Sequence, residues 1–265
     1  MTSFTHAFDP TTLREYDIRG IVGKTLSGAD AFAIGRVFGS LVARAGGTKV
    51  AVGRDGRLSS PELEPRLVEG LMASGMEVLR VGCCPTPMLY YAAYALETDG
   101  AVMVTGSHNP PDYNGFKSMI GKKPFYGQAI QELGRLAAAG DVVPEAQGSE
   151  CSVDIAADYV ARMMRDWDGG STGLNVVWDP GNGSSGEIVA RMVQEIPGTH
   201  TVINGTIDGN FPAHHPDPTV AKNLEQLIAE VARQKADLGI AFDGDGDRIG
   251  VVDGEGHILF GDQLL

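Results

Sequence analysis

The sequence predicts an α/β protein of two consecutive domains, each with a mixed, largely parallel sheet flanked by helices. Short apolar runs of strand length alternate with segments of helical periodicity along almost the whole chain, and such alternation is typical of βα units. The alternation stops at a polar stretch with proline and glycine, residues 140–152, and then begins again. We therefore expect one domain over residues 1–150 and a second over residues 151–265.

In the first domain, the clearest helix start is Ser60-Pro61, a capping hydroxyl followed by proline at the first helical position. The wholly apolar run GAVMV at residues 100–104 predicts a buried strand. The predicted helices cover residues 29–45, 60–74, 86–96 and 127–139, and the predicted strands cover residues 48–53, 76–81, 100–104 and 116–120.

The second domain shows the same alternation. Its predicted helices cover residues 153–165, 185–195 and 220–234, and its predicted strands cover residues 174–178, 199–203, 238–242, 249–252 and 257–260. In both domains a polar loop follows a predicted strand and carries side chains that could act as a nucleophile or bind a metal ion. Because ligands bind at the carboxyl ends of strands in open α/β sheets, these two loops are the candidate functional segments.

Composition narrows the possible partners. The net charge is −13, from 34 acidic and 21 basic residues, which argues against an extended surface for nucleic acid or anionic membrane. No apolar run approaches the ~18 residues of a membrane span, and the N-terminus lacks a signal pattern. Cys83, Cys84 and Cys151 lack metal-ligand spacing, so we expect reduced thiols in a cytoplasmic protein.

Three aspartates follow the predicted strand 238–242 at alternate positions, Asp243, Asp245 and Asp247. Glycines between them allow a tight loop that turns the carboxylates to one point, where oxygen ligands suit Mg²⁺. An EF-hand is excluded, because Arg248 and Gly254 occupy the positions that need glycine and glutamate. A phosphatase with an aspartate nucleophile remains an alternative.

Ser107 follows the buried strand of the first domain, between Gly106 and His108. A free serine is a poor nucleophile and needs activation or prior phosphorylation. The Gly-x-Ser-x-Gly pattern of α/β-hydrolases is absent here. On these residues alone, a turn serine that satisfies local amides is an equally good interpretation.

Four segments together carry a resemblance to a known family. They are EYDIRG at 15–20, TGSHNPPDYNGFK at 105–117, DGNFPAHHPDP at 208–218 and DGDGDR at 243–248. In this order they resemble the motifs of the α-D-phosphohexomutases, and Thr-Gly-Ser-His-Asn-Pro favours the phosphomannomutase/phosphoglucomutase branch. The resemblance implies a phosphoserine at Ser107 that exchanges its phosphoryl group with hexose 1- and 6-phosphates through a hexose 1,6-bisphosphate.

The resemblance also implies roles for other residues. Mg²⁺ would be bound by Asp243, Asp245 and Asp247, with the phosphoserine at Ser107 as a further ligand. The implied catalytic residues are Ser107, Arg19, Lys117 and His108, and the implied substrate contacts are Tyr16, Arg19, Lys117 and Arg248. By contrast, we expect only structural roles for the loop 181–186, for His214 and His215, and for the strand-end loop 53–57.

The family has four domains, and its sugar-binding and second phosphate-binding loops lie in the third and fourth. Only residues 249–265 follow Arg248, so we expect an N-terminal, truncated form with little full turnover, whose partners could include its own missing C-terminal domains. Besides the phosphatase with an aspartate nucleophile, a non-catalytic metal-binding or interaction module is therefore a second alternative.

Overall fold

The computed structural model describes residues 4–167, 173–259 and 261–264. The chain forms two compact units, Met1–Asp154 and Ile155–Leu265; the boundary expected from the sequence lay between residues 150 and 151. Each unit is an α/β structure with a mixed sheet, which confirms the predicted fold class.

The first unit has one mixed sheet. Its strands are β1 (Ile18–Ile21), β2 (Lys49–Arg54), β3 (Glu77–Cys83), β4 (Gly100–Val104), β5 (Tyr113–Ile120), β6 (Lys123–Phe125) and β7 (Ser149–Ser152). The order is β1-β5-β4-β2-β3-β7, with β6 on β5. The β4-β2-β3-β7 part is parallel, whereas β1, β5 and β6 pair antiparallel. The carboxyl ends of β2 and β4 therefore lie side by side.

Helices cover both faces of this sheet. They are α1 (Gly28–Arg44), α2 (Ser60–Met72), α3 (Thr86–Ala95) and α4 (Gln128–Ala139). Val102 and Val104 of β4 belong to the core shared with α1, α2 and α4. Met103 points to the opposite face because side chains alternate along a strand, and there it lies near Leu89 of α3, beside Gly53.

Local sequence explains where these helices begin and how closely they pack. Ser27 and Asp30 form a capping box at the start of α1, and Pro61 lies in the first turn of α2. A Cβ on Gly35 would lie 2.2 Å from the Leu67 carbonyl oxygen. The absence of a side chain there allows the backbones of α1 and α2 to cross at short range.

The second unit has a smaller mixed sheet of order β12-β11-β10-β8-β9. Its elements are α5 (Ala156–Met164), β8 (Leu174–Asp179), α6 (Gly186–Met192), β9 (Gly198–Val202), α7 (Glu225–Gln234), β10 (Leu238–Phe242), β11 (Ile249–Asp253) and β12 (Ile258–Leu259). The strands β10, β8 and β9 are parallel, and β11 and β12 continue the sheet antiparallel. Val177 packs with α7, and Trp178 packs on the other face with Val189 of α6.

The structure differs from the predicted elements in a few places. The strands β1, β6 and β7 were not predicted, and β7 uses the end of the polar stretch 140–152. The predicted helix 220–234 begins with a 3₁₀ turn, Ala221–Leu224, before α7. The prediction of a strand to residue 260 extends outside the described residues. Over the described part of the chain, no helix has the length and apolar character that crossing a membrane requires.

Candidate functional site

The serine loop, residues 105–110, leaves the carboxyl end of β4 in the first unit. Ser107 is buried, and its φ of 48° lies in the left-handed region that L residues adopt only under local constraint. Its N–H donates to the Thr105 hydroxyl at 2.8 Å. The Asn109 N–H donates to the Gly106 carbonyl at 3.0 Å and closes a turn around the serine.

The guanidinium group of Arg57 binds the backbone of this loop. Nη2 donates to the carbonyl oxygens of Ser107 at 2.7 Å and Asn109 at 2.6 Å. Nη1 donates to those of Pro110 at 2.7 Å and Tyr113 at 3.1 Å. Arg57 is 1% exposed. One buried side chain therefore fixes four carbonyl groups in and just after the serine loop.

The guanidinium group also explains the glycine before the serine. A Cβ on Gly106 would lie 2.1 Å from Nε and 2.3 Å from Cζ of Arg57, far inside van der Waals contact. The Gly106 N–H donates to Asp55 Oδ2 at 2.9 Å, and its carbonyl accepts from Arg19 Nη1 at 2.8 Å. Both peptide groups that flank Gly106 are therefore tied to charged side chains.

Asp55 extends this network into the core of the unit. Its Oδ1 accepts from the Arg57 N–H at 3.0 Å and from the Ser60 hydroxyl at 2.6 Å. The Asn114 amide donates to the Ser59 and Ser60 hydroxyls at 2.8 and 2.9 Å. Because Asp55 follows β2 and the serine loop follows the neighbouring β4, the sheet brings the two loops together.

Arg19 lies in β1 and is 4% exposed. Besides its bond to Gly106, its Nη2 donates to Asp17. Its Nε–H is buried and has no hydrogen-bond partner within the described part of the chain. A buried N–H donor without a partner is costly, and an anionic group at the serine loop would satisfy it.

The other predicted residues of the first unit differ in their closeness to Ser107. His108 Nδ1 lies 3.3 Å from the Ser107 hydroxyl oxygen. Lys117 is half-buried in β5, opposite Met103 near the end of β4. Tyr16 precedes β1 and is 81% exposed. The structure thus brings Arg19 to the serine loop and places the ring of His108, itself a residue of this loop, beside the Ser107 hydroxyl. It leaves the Tyr16 ring in solvent.

The second unit contains the metal loop, residues 243–248, at the carboxyl end of β10. Asp243, Asp245 and Asp247 each offer a carboxylate oxygen, and these oxygens all lie within 4.8 Å of one another. Asp243 and Asp245 are buried, whereas Asp247 is exposed. Asp243 Oδ1 accepts from the N–H groups of Asp247 and Arg248 at 3.0 and 3.1 Å, which closes the loop.

This donor set fits a hard divalent cation. Neighbouring ligands of octahedral Mg²⁺ lie about 3 Å apart and opposite ligands about 4 Å, and the three carboxylate oxygens lie within a similar range, 4.8 Å of one another. Without a cation, three carboxylates at this separation, two of them buried, repel one another. Arg248 is exposed at the end of the loop, directly before β11.

A buried acid–histidine pair lies at the same edge of the second sheet. Asp179 ends β8, is fully buried, and accepts from His214 Nε2 at 2.9 Å. His214 Nδ1 lies 3.0 Å from the His215 carbonyl oxygen. Burial alone would lower the pKa of His214, but the hydrogen bonds to Asp179 and His215 and the charge of Asp179 together raise it. Both ring nitrogens face acceptors, so the imidazolium form fits best.

Sequence reasoning missed Asp55 and Arg57, which we expected only in a strand-end loop. Their position directly after β2 could have indicated a role, because β2 and β4 are parallel neighbours and the serine loop follows β4. Their hydrogen-bond partners lie some fifty residues later in the chain, and no local spacing indicates such pairs.

Comparison with known proteins agrees with this fold and these loops. Residues 10–140 match the family model described as phosphoglucomutase/phosphomannomutase, alpha/beta/alpha domain I, and residues 157–256 match the model of domain II. The chain therefore belongs to the phosphoglucomutase/phosphomannomutase family, which confirms the resemblance seen in the sequence.

Particular relatives lie within this family. A phosphomannomutase/phosphoglucomutase of Pseudomonas aeruginosa is 47% identical over 252 residues, covering 95% of this chain and 54% of the relative. A phosphoglucomutase of Neisseria gonorrhoeae is 45% identical, covering 95% and 55%. The crystal structure of a family protein from Burkholderia thailandensis superposes with a TM-score of 0.89 at 42% identity, covering 96% and 57%. The chain spans about half the length of these relatives.

Proposed function

We propose that this chain carries the phosphoserine and metal chemistry of a phosphomannomutase/phosphoglucomutase, with Ser107 as the phosphoryl carrier. The observation that carries the proposal is the conformation of the serine loop. Ser107 has a positive φ, and the peptide groups around it are held by Asp55, Arg57 and Arg19. A serine that only satisfied local amides would not need three buried charged side chains to hold its backbone.

In the proposed reaction, phosphorylated Ser107 transfers its phosphoryl group to a free hydroxyl of a hexose 1- or 6-phosphate. The P–O bond to Ser107 Oγ breaks, a P–O bond to the sugar oxygen forms, and the proton of the sugar hydroxyl ends on Ser107 Oγ, which becomes a free hydroxyl again. The resulting hexose 1,6-bisphosphate reorients and returns the other phosphoryl group to Ser107. His108, with Nδ1 at 3.3 Å from Ser107 Oγ, would orient that oxygen or exchange its proton.

The cations have separate proposed roles. Arg19 would bind a phosphoryl oxygen through its buried Nε–H, since this donor has no partner within the described part of the chain. Lys117 would assist charge stabilisation and proton transfer, and Arg248 would contact the substrate phosphate. Tyr16, exposed before β1, would contact the sugar phosphate. The first domain thus supplies the serine and the second the metal loop.

Asp243, Asp245 and Asp247 would hold Mg²⁺, because their carboxylate oxygens lie within 4.8 Å of one another. When bound, the ion neutralises charge on the phosphoryl group as it moves between oxygens. The proposed substrates are glucose and mannose phosphates, because the relatives are named for these two activities.

The competing mechanism uses an aspartate nucleophile, and a phosphorylation assay separates the two. The chain is incubated with glucose 1,6-bisphosphate and Mg²⁺, and its intact mass is measured before and after hydroxylamine, which cleaves acyl phosphates. We expect one added phosphoryl group that resists hydroxylamine and is absent from Ser107→Ala. Stoichiometric phosphorylation of Ser107→Ala, or a label removed by hydroxylamine, would overturn the proposal.

A further inference from the structure

The metal loop of the second unit packs against another loop, residues 180–186, which we name the buttress loop. It follows β8, as the metal loop follows β10, and these neighbouring strands are parallel, with Asp179 opposite Ala241. The two loops therefore leave the sheet at the same edge. From the sequence we expected only a structural role for residues 181–186 of this loop.

The contact between these loops is made at short range by backbone atoms and by one hydroxyl group. Ser184 donates to the Gly244 carbonyl oxygen twice, from its N–H at 3.0 Å and from its hydroxyl at 3.3 Å. A Cβ on Gly183 would lie 2.8 Å from the Gly244 oxygen and 3.1 Å from the Asp243 oxygen, and 3.0 Å from the Pro180 oxygen of its own loop. Ser184 is 1% exposed. Only a glycine at 183 leaves space for the two metal-loop carbonyls.

The buttress loop is itself fixed on its other side. Asn182 has a φ of 59°, its N–H donates to the Asn204 carbonyl at 2.8 Å, and its side-chain amide donates to the Thr206 carbonyl at 2.8 Å. The Gly181 N–H donates to buried Asp179 at 2.9 Å. The loop is therefore held by hydrogen bonds of its own, apart from its contacts with the metal loop.

The Gly244 carbonyl, which accepts both bonds from Ser184, lies between two of the proposed metal ligands. Gly244 separates Asp243 from Asp245, so the orientation of its peptide group sets the direction in which the Asp245 side chain leaves the backbone. The carboxylates repel one another without a cation. A loop held only by its own bonds would relax outwards, and each binding event would have to bring the ligands together again.

We propose that Gly183 and Ser184 are positioning residues that preorganise the metal loop for a divalent cation, an inference that rests on the proposed function of Asp243, Asp245 and Asp247. They touch neither the ion nor the substrate, and they act through the Gly244 carbonyl. Residues that orient metal ligands typically alter metal affinity by about ten- to a hundredfold when changed.

The experiment measures Mg²⁺ binding to the full 265-residue chain by calorimetry, using MgCl₂ alone and no sugar phosphate. The test variant is Gly183→Ala. The matched control is Gly254→Ala, whose Cβ would lie 3.0 and 3.2 Å from the carbonyl oxygens of Ala236 and Asp237. The control also crowds two successive carbonyls, somewhat less closely, but it does so just before β10, at the end opposite the metal loop.

We expect Gly183→Ala to bind Mg²⁺ at least about tenfold more weakly than wild type, and Gly254→Ala to bind as wild type does. Urea unfolding without metal should show similar losses of stability in both variants, so a general packing defect would not produce the difference. Wild-type affinity in folded Gly183→Ala, or an equal loss in Gly254→Ala, would overturn the proposal.

Two further outcomes are decisive. If Gly183→Ala does not fold, Ser184→Ala is measured instead, and a severalfold loss of affinity supports the proposal while wild-type affinity refutes it. If the wild-type chain binds no Mg²⁺, both this inference and the proposed metal site fail. The phosphorylation of Ser107 is measured independently, so that part of the proposed function is judged separately.

Discussion

Replacing Arg57 by lysine tests whether this residue shapes the serine loop. The guanidinium group donates to four carbonyl oxygens from two nitrogens. A lysine keeps the charge, but it has only three N–H donors, all on one atom, so at least one of the four carbonyls loses its donor. An unpaired buried acceptor costs about 1–3 kcal/mol, so we expect the free energy of unfolding of the first unit to fall by at least this amount.

The same change should loosen the serine loop in the folded protein. We expect faster hydrogen exchange at the amides of Gly106 and Ser107, whose acceptors are Asp55 and Thr105. A displaced nucleophile should also slow phosphorylation of Ser107 by a sugar bisphosphate, by about a hundredfold if the displacement approaches 1 Å. The assays are urea unfolding, amide exchange and time-resolved intact mass, all at matched fractions folded.

Arg36→Lys is the matched control for this experiment. Arg36 is also buried, and it donates to the Ala73 and Val143 carbonyls and to the Ser74 hydroxyl. Its partners lie directly after the carboxyl end of α2 and after α4, away from the serine loop. The control should lose stability but keep loop protection and the phosphorylation rate. Wild-type exchange and phosphorylation in Arg57→Lys would refute the reasoning.

Three other predictions concern single contacts. Gly106→Ala should destabilise the first unit by about 3 kcal/mol, because its Cβ overlaps the Arg57 guanidinium; an unchanged urea midpoint would contradict this. The raised pKa of His214 should stabilise the second unit below the ordinary histidine pKa, and this stability should be lost as pH rises through the raised value. Wild type should therefore exceed His214→Gln in stability by more at about pH 5 than at about pH 9, and a constant difference would disprove it. Asp245→Asn should raise stability without metal, by removing one of three repelling charges, while weakening Mg²⁺ binding by tenfold or more; equal Mg²⁺ affinity in calorimetry would exclude Asp245 as a ligand.

The sequence predicted most of the fold because the buried strands carry their own signal. The run GAVMV of β4 is apolar at every position and is buried throughout. The strands that escaped prediction lack this signal. β7, SECS, is polar and exposed at the sheet edge, and β1 contains the charged Arg19, which is buried and donates to Gly106 and Asp17.

The candidate site was predictable only where its chemistry is local. The alternate aspartates and the serine hexapeptide are short motifs, so they can be recognised without a structure. Arg57 and Ser184 act on carbonyl groups some fifty to sixty residues away. Backbone acceptors leave no trace in the amino-acid sequence, because any residue offers the same carbonyl. The contacts that hold the serine loop and the metal loop are therefore visible only in the structure, where neighbouring strands bring the bonded residues together.

The central claim is that Ser107 passes its phosphoryl group to a sugar and not to water. It is tested most directly by loading the chain with ³²P on Ser107, removing excess donor, and adding glucose 1-phosphate or mannose 1-phosphate with Mg²⁺. Our account predicts that the label leaves the protein and appears in hexose 1,6-bisphosphate, and that chelating the metal stops the transfer. Label that remains on the protein, or leaves only as inorganic phosphate, would contradict the account.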